Sequence, residues 1–117
     1  MTLPANLYDL CGNLVTGSPG TGGFTLGAAI TGFKSMSAIP NGTQIAYCAT
    51  DGTNTEESLG TVTGSGTSMT RGEGTIFSTN ANALVSFGSG VQVQAVFGGP
   101  WLQELINDVL TMDGGTF

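Results

Sequence analysis

The clearest alternation in the chain places Val91, Val93, Ala95 and Phe97 on one face and Gln92 and Gln94 on the other. A period of two marks a strand half-buried on a sheet, so 91–97 is predicted as a strand. Residues 43–50 repeat the pattern, with Ile45, Tyr47 and Ala49 on one face and Gln44, Ala46 and Cys48 on the other. Residues 24–39 read as two short strands broken at Gly27 and Gly32. Residues 56–63 and 67–77 read as a hairpin around Gly64-Ser65-Gly66, and 82–87 as a strand turned back by Gly88-Ser89-Gly90. Pro40-Asn41-Gly42 predicts a hairpin-type turn, because Asn and Gly tolerate positive φ. Residues 1–11 form an extended start and 16–23 a flexible loop. Turn signals about every 8–12 residues indicate an all-β fold, a small antiparallel sandwich or barrel-like domain.

The period changes after Gly98-Gly99. Pro100 occupies the favoured first position of a helix. Leu102, Leu105, Val109 and Met112 then follow helical spacing, and Trp101, Ile106 and Leu110 widen the stripe. Gln103, Glu104, Asn107, Asp108 and Thr111 fill the polar face, and Asp113-Gly114-Gly115 supplies the stop. The chain therefore divides into a β-domain, 1–98, and a short amphipathic helical arm, 99–117. A lone helix of this length is marginal in water, so its stripe must be buried. It covers either its own domain or a partner. Trp101, Leu102, Leu105, Ile106, Val109 and Met112 are the candidate partner-binding residues.

Composition sharpens the picture. Gly, Thr, Ser and Asn supply 53 of the 117 residues, a mix that favours short strands and turns over long helices. Only 9% of residues are charged, against a usual ~25%. A surface so poor in charge suits a protein packed against other subunits or one exposed outside a cell. Two basic residues and a net charge of −6 argue against nucleic acid and against an anionic membrane. No apolar run approaches the ~18–20 residues of a membrane span. The start, Met1-Thr2-Leu3-Pro4, has neither a basic nor an apolar signal region, so no secretion signal is expected.

Candidate chemistry is sparse. With no His, the usual acid–base residue and metal ligand is missing. Gly17-Ser18-Pro19-Gly20-Thr21-Gly22-Gly23 is followed by Phe24 where a phosphate-binding loop needs Lys and a hydroxyl, so it reads as a plain loop. Asp51, Thr53, Thr55 and Glu57 alternate as oxygen donors without the spacing of a calcium loop, and read as a solvated turn. Glu56 and Glu57 are adjacent strand residues and point to opposite faces, so they do not form a glycosidase pair. Cys11 and Cys48 read as small apolar side chains, with a disulfide between them left open. Arg71 falls near Leu59 on the paired strand, within reach of Glu56 or Glu57, where an ion pair would pin the hairpin register. No catalytic residue, metal site or cofactor is assigned.

A series of short motifs runs in order along the chain. Gly22-Gly23-Phe24-Thr25-Leu26 leads through Ile30-Thr31-Gly32-Phe33 to Tyr47-Cys48. Gly60-Thr61-Val62 and Gly66-Thr67-Ser68-Met69-Thr70-Arg71 follow, then Ser78-Thr79-Asn80, Ala83-Leu84-Val85-Ser86-Phe87 and Val96-Phe97. The series resembles a small β-domain of tailed-bacteriophage virion structural proteins. In that family a Gly-Thr-Gly stretch precedes an L-x-G-A-x-x-G-F strand. A Y-C-I strand, a W-E-x-G-x-G-T strand, an L-S-R turn and an S-S-N-x-x-A-L-V-N-F segment come next. The resemblance spans roughly 7–97. It departs at Thr55, where the family has Trp, and at Gly90-Val91-Gln92, where Gly-Thr-Lys is usual; 100–112 lies outside it.

The resemblance implies a non-enzymatic virion protein, assembled in the host bacterial cytoplasm. The expected role is a capsid decoration or head-spike protein, a symmetric oligomer (a homotrimer) on the particle exterior. Its partners would be copies of itself and other virion proteins such as major capsid or tail proteins. The alternative is a tail-fibre or tail-tip component contacting a host glycan, which would need an exposed Trp or Tyr flanked by Asn or Asp.

Overall fold

The computed structural model describes residues 10–96 together with Ile106 and Asn107. Seven strands are present among them: β1 (Gly12–Val15), β2 (Phe24–Ala29), β3 (Thr43–Thr50), β4 (Thr55–Thr63), β5 (Ser68–Met69), β6 (Phe77–Ser78) and β7 (Gln92–Ala95). A 3-10 turn at Met36–Ala38 lies between β2 and β3, capped by the Ser35 hydroxyl, which accepts from the Ser37 N–H. The fold is all-β and its strand pairings are antiparallel. They close on themselves: β3 pairs with β7, β7 with β1, β1 with β2, β2 with β5, β5 with β4, and β4 with β3. The two-residue β6 stands outside this ring, against Glu56 and Glu57 of β4. Closure satisfies the strand edges that an open sheet would leave bare.

Alternation sorts each strand into an inner and an outer row. Ile45, Tyr47 and Ala49 of β3, Val93 and Ala95 of β7, and Cys11 and Val15 around β1 all belong to one buried cluster with Phe24, Leu26, Met36, Ile39, Val62, Met69, Val85 and Phe87. Asn13, inward on β1, is 1% exposed. Its amide donates to Gly27 O at 2.8 Å and accepts from Met36 N–H at 2.8 Å, so the buried polar group is satisfied. That side chain sits where the β1–β2 register slips between Asn13 and Val15, and it ties the 3-10 turn to the bulge. Gly60 is required by packing: a Cβ there would collide with the Thr70 carbonyl where the chain crosses β4.

Several expectations are corrected. β1 was not expected, because Gly12-Asn13 hides its alternation. The region 24–39 holds one strand and a 3-10 turn in place of two strands. The turn at 40–42 forms, with Thr43 N–H donating to Pro40 O and Gly42 at φ 84. It joins no hairpin, however, because β2 pairs with β1 and β5. The hairpin after Gly66 pairs only through Ser68 and Met69, and β6 rejoins β4 at Phe77–Ser78. Residues 82–87 make no strand, only a single bridge from Phe87 to Gly20. Of the helical arm, Ile106 and Asn107 are helical; Trp101, Leu102, Leu105, Val109 and Met112 lie outside the described residues, as does Phe97 of the last strand.

Candidate functional site

The most concentrated chemistry is inside the ring. Glu56 takes an inward position on β4 and is fully buried. Arg71 follows β5 and turns inward, its side chain 1% exposed, and its Nη2 lies 2.7 Å from Glu56 Oε1. All five guanidinium N–H groups find acceptors. Nε donates to Glu56 Oε2 at 3.1 Å, and Nη2 donates to Glu56 Oε1 and, at 2.8 Å, to Val85 O. Nη1 donates to Gly20 O at 2.7 Å and Gly22 O at 2.8 Å. The carboxylate also accepts from Tyr47 OH at 2.6 Å and Val85 N–H at 2.8 Å. Tyr47 OH in turn accepts from Gly72 N–H at 3.2 Å. The guanidinium stacks over Phe24, 4.6 Å from the ring centroid, and lies 5.3 Å from that of Phe87.

A buried ion pair is tolerable only when its remaining lone pairs and protons are also satisfied, and here they are. Burial first, then the hydrogen bond and charge of Glu56, hold the Tyr47 phenol well above its usual range, against the opposing Gly72 N–H and Arg71. The arrangement fixes segments in place. It fastens the 16–23 loop and the 82–87 segment, neither of which has a strand ladder of its own, to β3 and β4.

A second carboxylate works on the outside. Glu73 accepts from Thr61 Oγ1 at 2.7 Å and Gln44 Nε2 at 3.2 Å. Partial burial raises its pKa, but hydrogen bonds from Thr61, Thr70 and Gln44 outweigh that and leave it below the usual carboxylate range.

The sequence-predicted residues fall as follows. Arg71 pairs with Glu56, and Glu57 stands on the opposite, half-buried outer side. Asp51 Oδ1 accepts from the Thr53 and Asn54 N–H groups, both at 2.8 Å, which hold its pKa low; it closes a turn. Among the described residues no group of three or more Cys, Asp or Glu could hold a metal ion. Thr50, Asp51, Gly52, Gly90 and Gln92 line a shallow concavity of about 220 Å³, below the ~300–1,000 Å³ of ordinary small-molecule sites. Cys11 and Cys48 are free thiols. They face opposite sides of the sheet, Cys11 inward and Cys48 outward, and burial, with the Glu57 charge, pushes Cys48 up to about 11. Tyr47 is fully buried, so it offers no platform to a glycan; Phe77, 37% exposed, is the most exposed aromatic among the described residues. Ile106 is 53% exposed. No described helix is long and apolar enough to cross a membrane.

Sequence reasoning missed Tyr47, Asn13 and Glu73 as network members. For Glu56 a signal existed, since it is a polar residue at an inward position of a predicted strand; for Asn13 none did, because the strand that carries it shows no apolar alternation. Comparison with protein-family models, with curated proteins and with solved structures yields no match.

Proposed function

We propose that this chain is a non-enzymatic structural protein of a bacteriophage virion, a capsid decoration or head-spike protein that assembles as a symmetric oligomer on the particle exterior. The observation that carries the reading is where the resembling motifs meet. Gly22, Phe24, Tyr47, Arg71, Val85 and Phe87, drawn from separate motifs, converge on one buried clamp with Glu56. Motifs that converge on a closed, internally satisfied cluster specify a scaffold. A reactive centre would keep a group in reach of solvent and substrate. The acidic, lysine-poor composition suits an outer surface rather than one facing packaged DNA. In this reading the domain is a small barrel-like knob with a terminal amphipathic helix that contributes to contacts between copies.

Mass spectrometry of purified particles of the phage encoding the chain, with light scattering of the free protein, tests the reading. Stoichiometric presence in mature particles is expected, as is a homotrimer that falls to a monomer when the chain is cut after Gly99. Absence from purified particles would overturn the virion role. A monomer in solution would leave a decoration protein that assembles only on the particle. Retention on tail fractions alone would favour the glycan-contacting alternative.

A further inference from the structure

Asn41 is the only one of the chain's seven asparagines that precedes a glycine. That dipeptide carries its own chemistry. The backbone nitrogen of the following residue can attack the side-chain amide carbon, and glycine puts no Cβ in the way. The new C–N bond closes a cyclic imide. The bond from that carbon to the side-chain nitrogen breaks, and ammonia leaves with the proton of the attacking N–H. Water then opens the imide at either carbonyl and leaves aspartate or isoaspartate. The reaction needs only water and a free backbone nitrogen.

Asn41 and Gly42 are both exposed, so water reaches them, yet the fold holds the nitrogen. Gly42 N–H donates to Val62 O at 2.8 Å. Thr43 N–H donates to Pro40 O at 3.1 Å, and of the two central residues only Gly42 is left-handed, at φ 84, the pattern of a type II turn. Asn41 Oδ1 accepts from Ser65 N–H at 3.4 Å, which leaves the amide carbon open to attack. Attack requires the Gly42 nitrogen to shed its proton and close on Asn41 Cγ, and shedding that proton breaks the bond to Val62. The bond joins the 36–42 stretch to the 62–66 stretch. The same two stretches meet at Gly66, where a Cβ would lie 2.4 Å from Ser37 N.

We propose that Asn41 is a spontaneous modification site gated by the Gly42–Val62 hydrogen bond: it converts to aspartate and isoaspartate only when this end of the ring opens. The two products differ in consequence. Aspartate keeps the backbone as it is and still offers an oxygen to Ser65 N–H. Isoaspartate carries the main chain through Cβ and so lengthens the turn between Pro40 and Thr43. That shifts the Gly42 N–H away from Val62 O at the head of β3, and the gate does not re-form. The site is thus a one-way record of local opening. It is independent of the virion reading, since it follows from the turn alone.

The test incubates the full chain at mildly alkaline pH, native and in urea above its unfolding transition, and follows each asparagine by peptide mass mapping. In urea Asn41 should convert faster than the other asparagines. In the native protein it should convert at least about tenfold more slowly than in urea, and the slowing should match the hydrogen-exchange protection of the Gly42 amide, because both need that N–H released. Gly66→Ala leaves Asn41 and Gly42 intact but presses the 64–66 turn off Ser37, so it should speed native conversion and lower Gly42 protection together. Near-ultraviolet circular dichroism from the buried Tyr47 shows whether this variant is folded; if it is not, the wild-type comparison decides alone. Equal rates in native and unfolded protein would overturn the proposal. So would an unprotected Gly42 amide, or a slowing that departs from its protection by more than about tenfold.

Discussion

Glu56 and Glu73 are both carboxylates that accept several hydrogen bonds, yet they sit on opposite sides of the same sheet and follow different physics. Glu56 is inside, fully buried, and held by Arg71, Tyr47 and Val85. Glu73 is outside, partly exposed, and held by neutral hydroxyl and amide groups alone. Inside, a missing partner leaves a charge in a low-dielectric core; outside, water takes the partner's place. The inner cluster is therefore an all-or-none unit and the outer one a set of modest, separable contributions.

The largest expected effect is Arg71→Met, which strands the Glu56 carboxylate; it should cost about 3–5 kcal/mol in urea unfolding. Combining it with Glu56→Met should cost less than the two single changes summed, because neither charge is then left alone. Additive costs would show that the two residues do not act as a pair, and would break the comparison with Glu73. Tyr47→Phe removes one donor to Glu56 and the acceptor of Gly72 N–H, with an expected loss of about 1–2 kcal/mol. The smallest mutational effect belongs to Glu73→Gln, at about 0.5 kcal/mol or less, since the amide oxygen still accepts from Thr61.

The two regions also respond to opposite ends of the pH scale. Tyr47 has a raised pKa in the folded protein, so the unfolded chain loses this proton first as pH rises. Its contribution is complete below about pH 10 and is lost progressively above it. Glu73 has a lowered pKa, so its contribution is complete above about pH 4.3 and is lost as pH falls through the folded value. Unfolding free energies across both windows, compared with Tyr47→Phe and Glu73→Gln, check each sign: each variant should flatten only its own limb.

Legibility in the sequence followed the same division. β3 and β7 were readable because their alternation is uninterrupted from Ile45 to Ala49 and from Val91 to Ala95. β1 was not, because its inward positions include Asn13 and its outward ones Gly12, so the apolar period disappears. The Arg71–Glu56 pairing was anticipated as one of two options, and alternation along β4 decides it, since Glu56 points in and Glu57 out. That three separate stretches, 20–24, Glu56 of β4 and 85–87, would converge on the guanidinium was not legible. Carbonyl acceptors such as Gly20, Gly22 and Val85 belong to the backbone, and no residue type announces them.

The sequence by itself determined the class of the fold, through the period-two rows and the glycine-rich turns. It also determined the poverty of acid–base chemistry, through the absence of His and the scarcity of charge. Only the tertiary structure decided which strands pair, because β1 finds β7 across most of the chain's length and β3 finds β7 past three intervening strands, where local pattern carries no register. It also decided that the 68–71 stretch leaves its hairpin to bring Arg71 inside. A buried guanidinium is stable only where every donor meets an acceptor, and those acceptors come together only when the ring is closed.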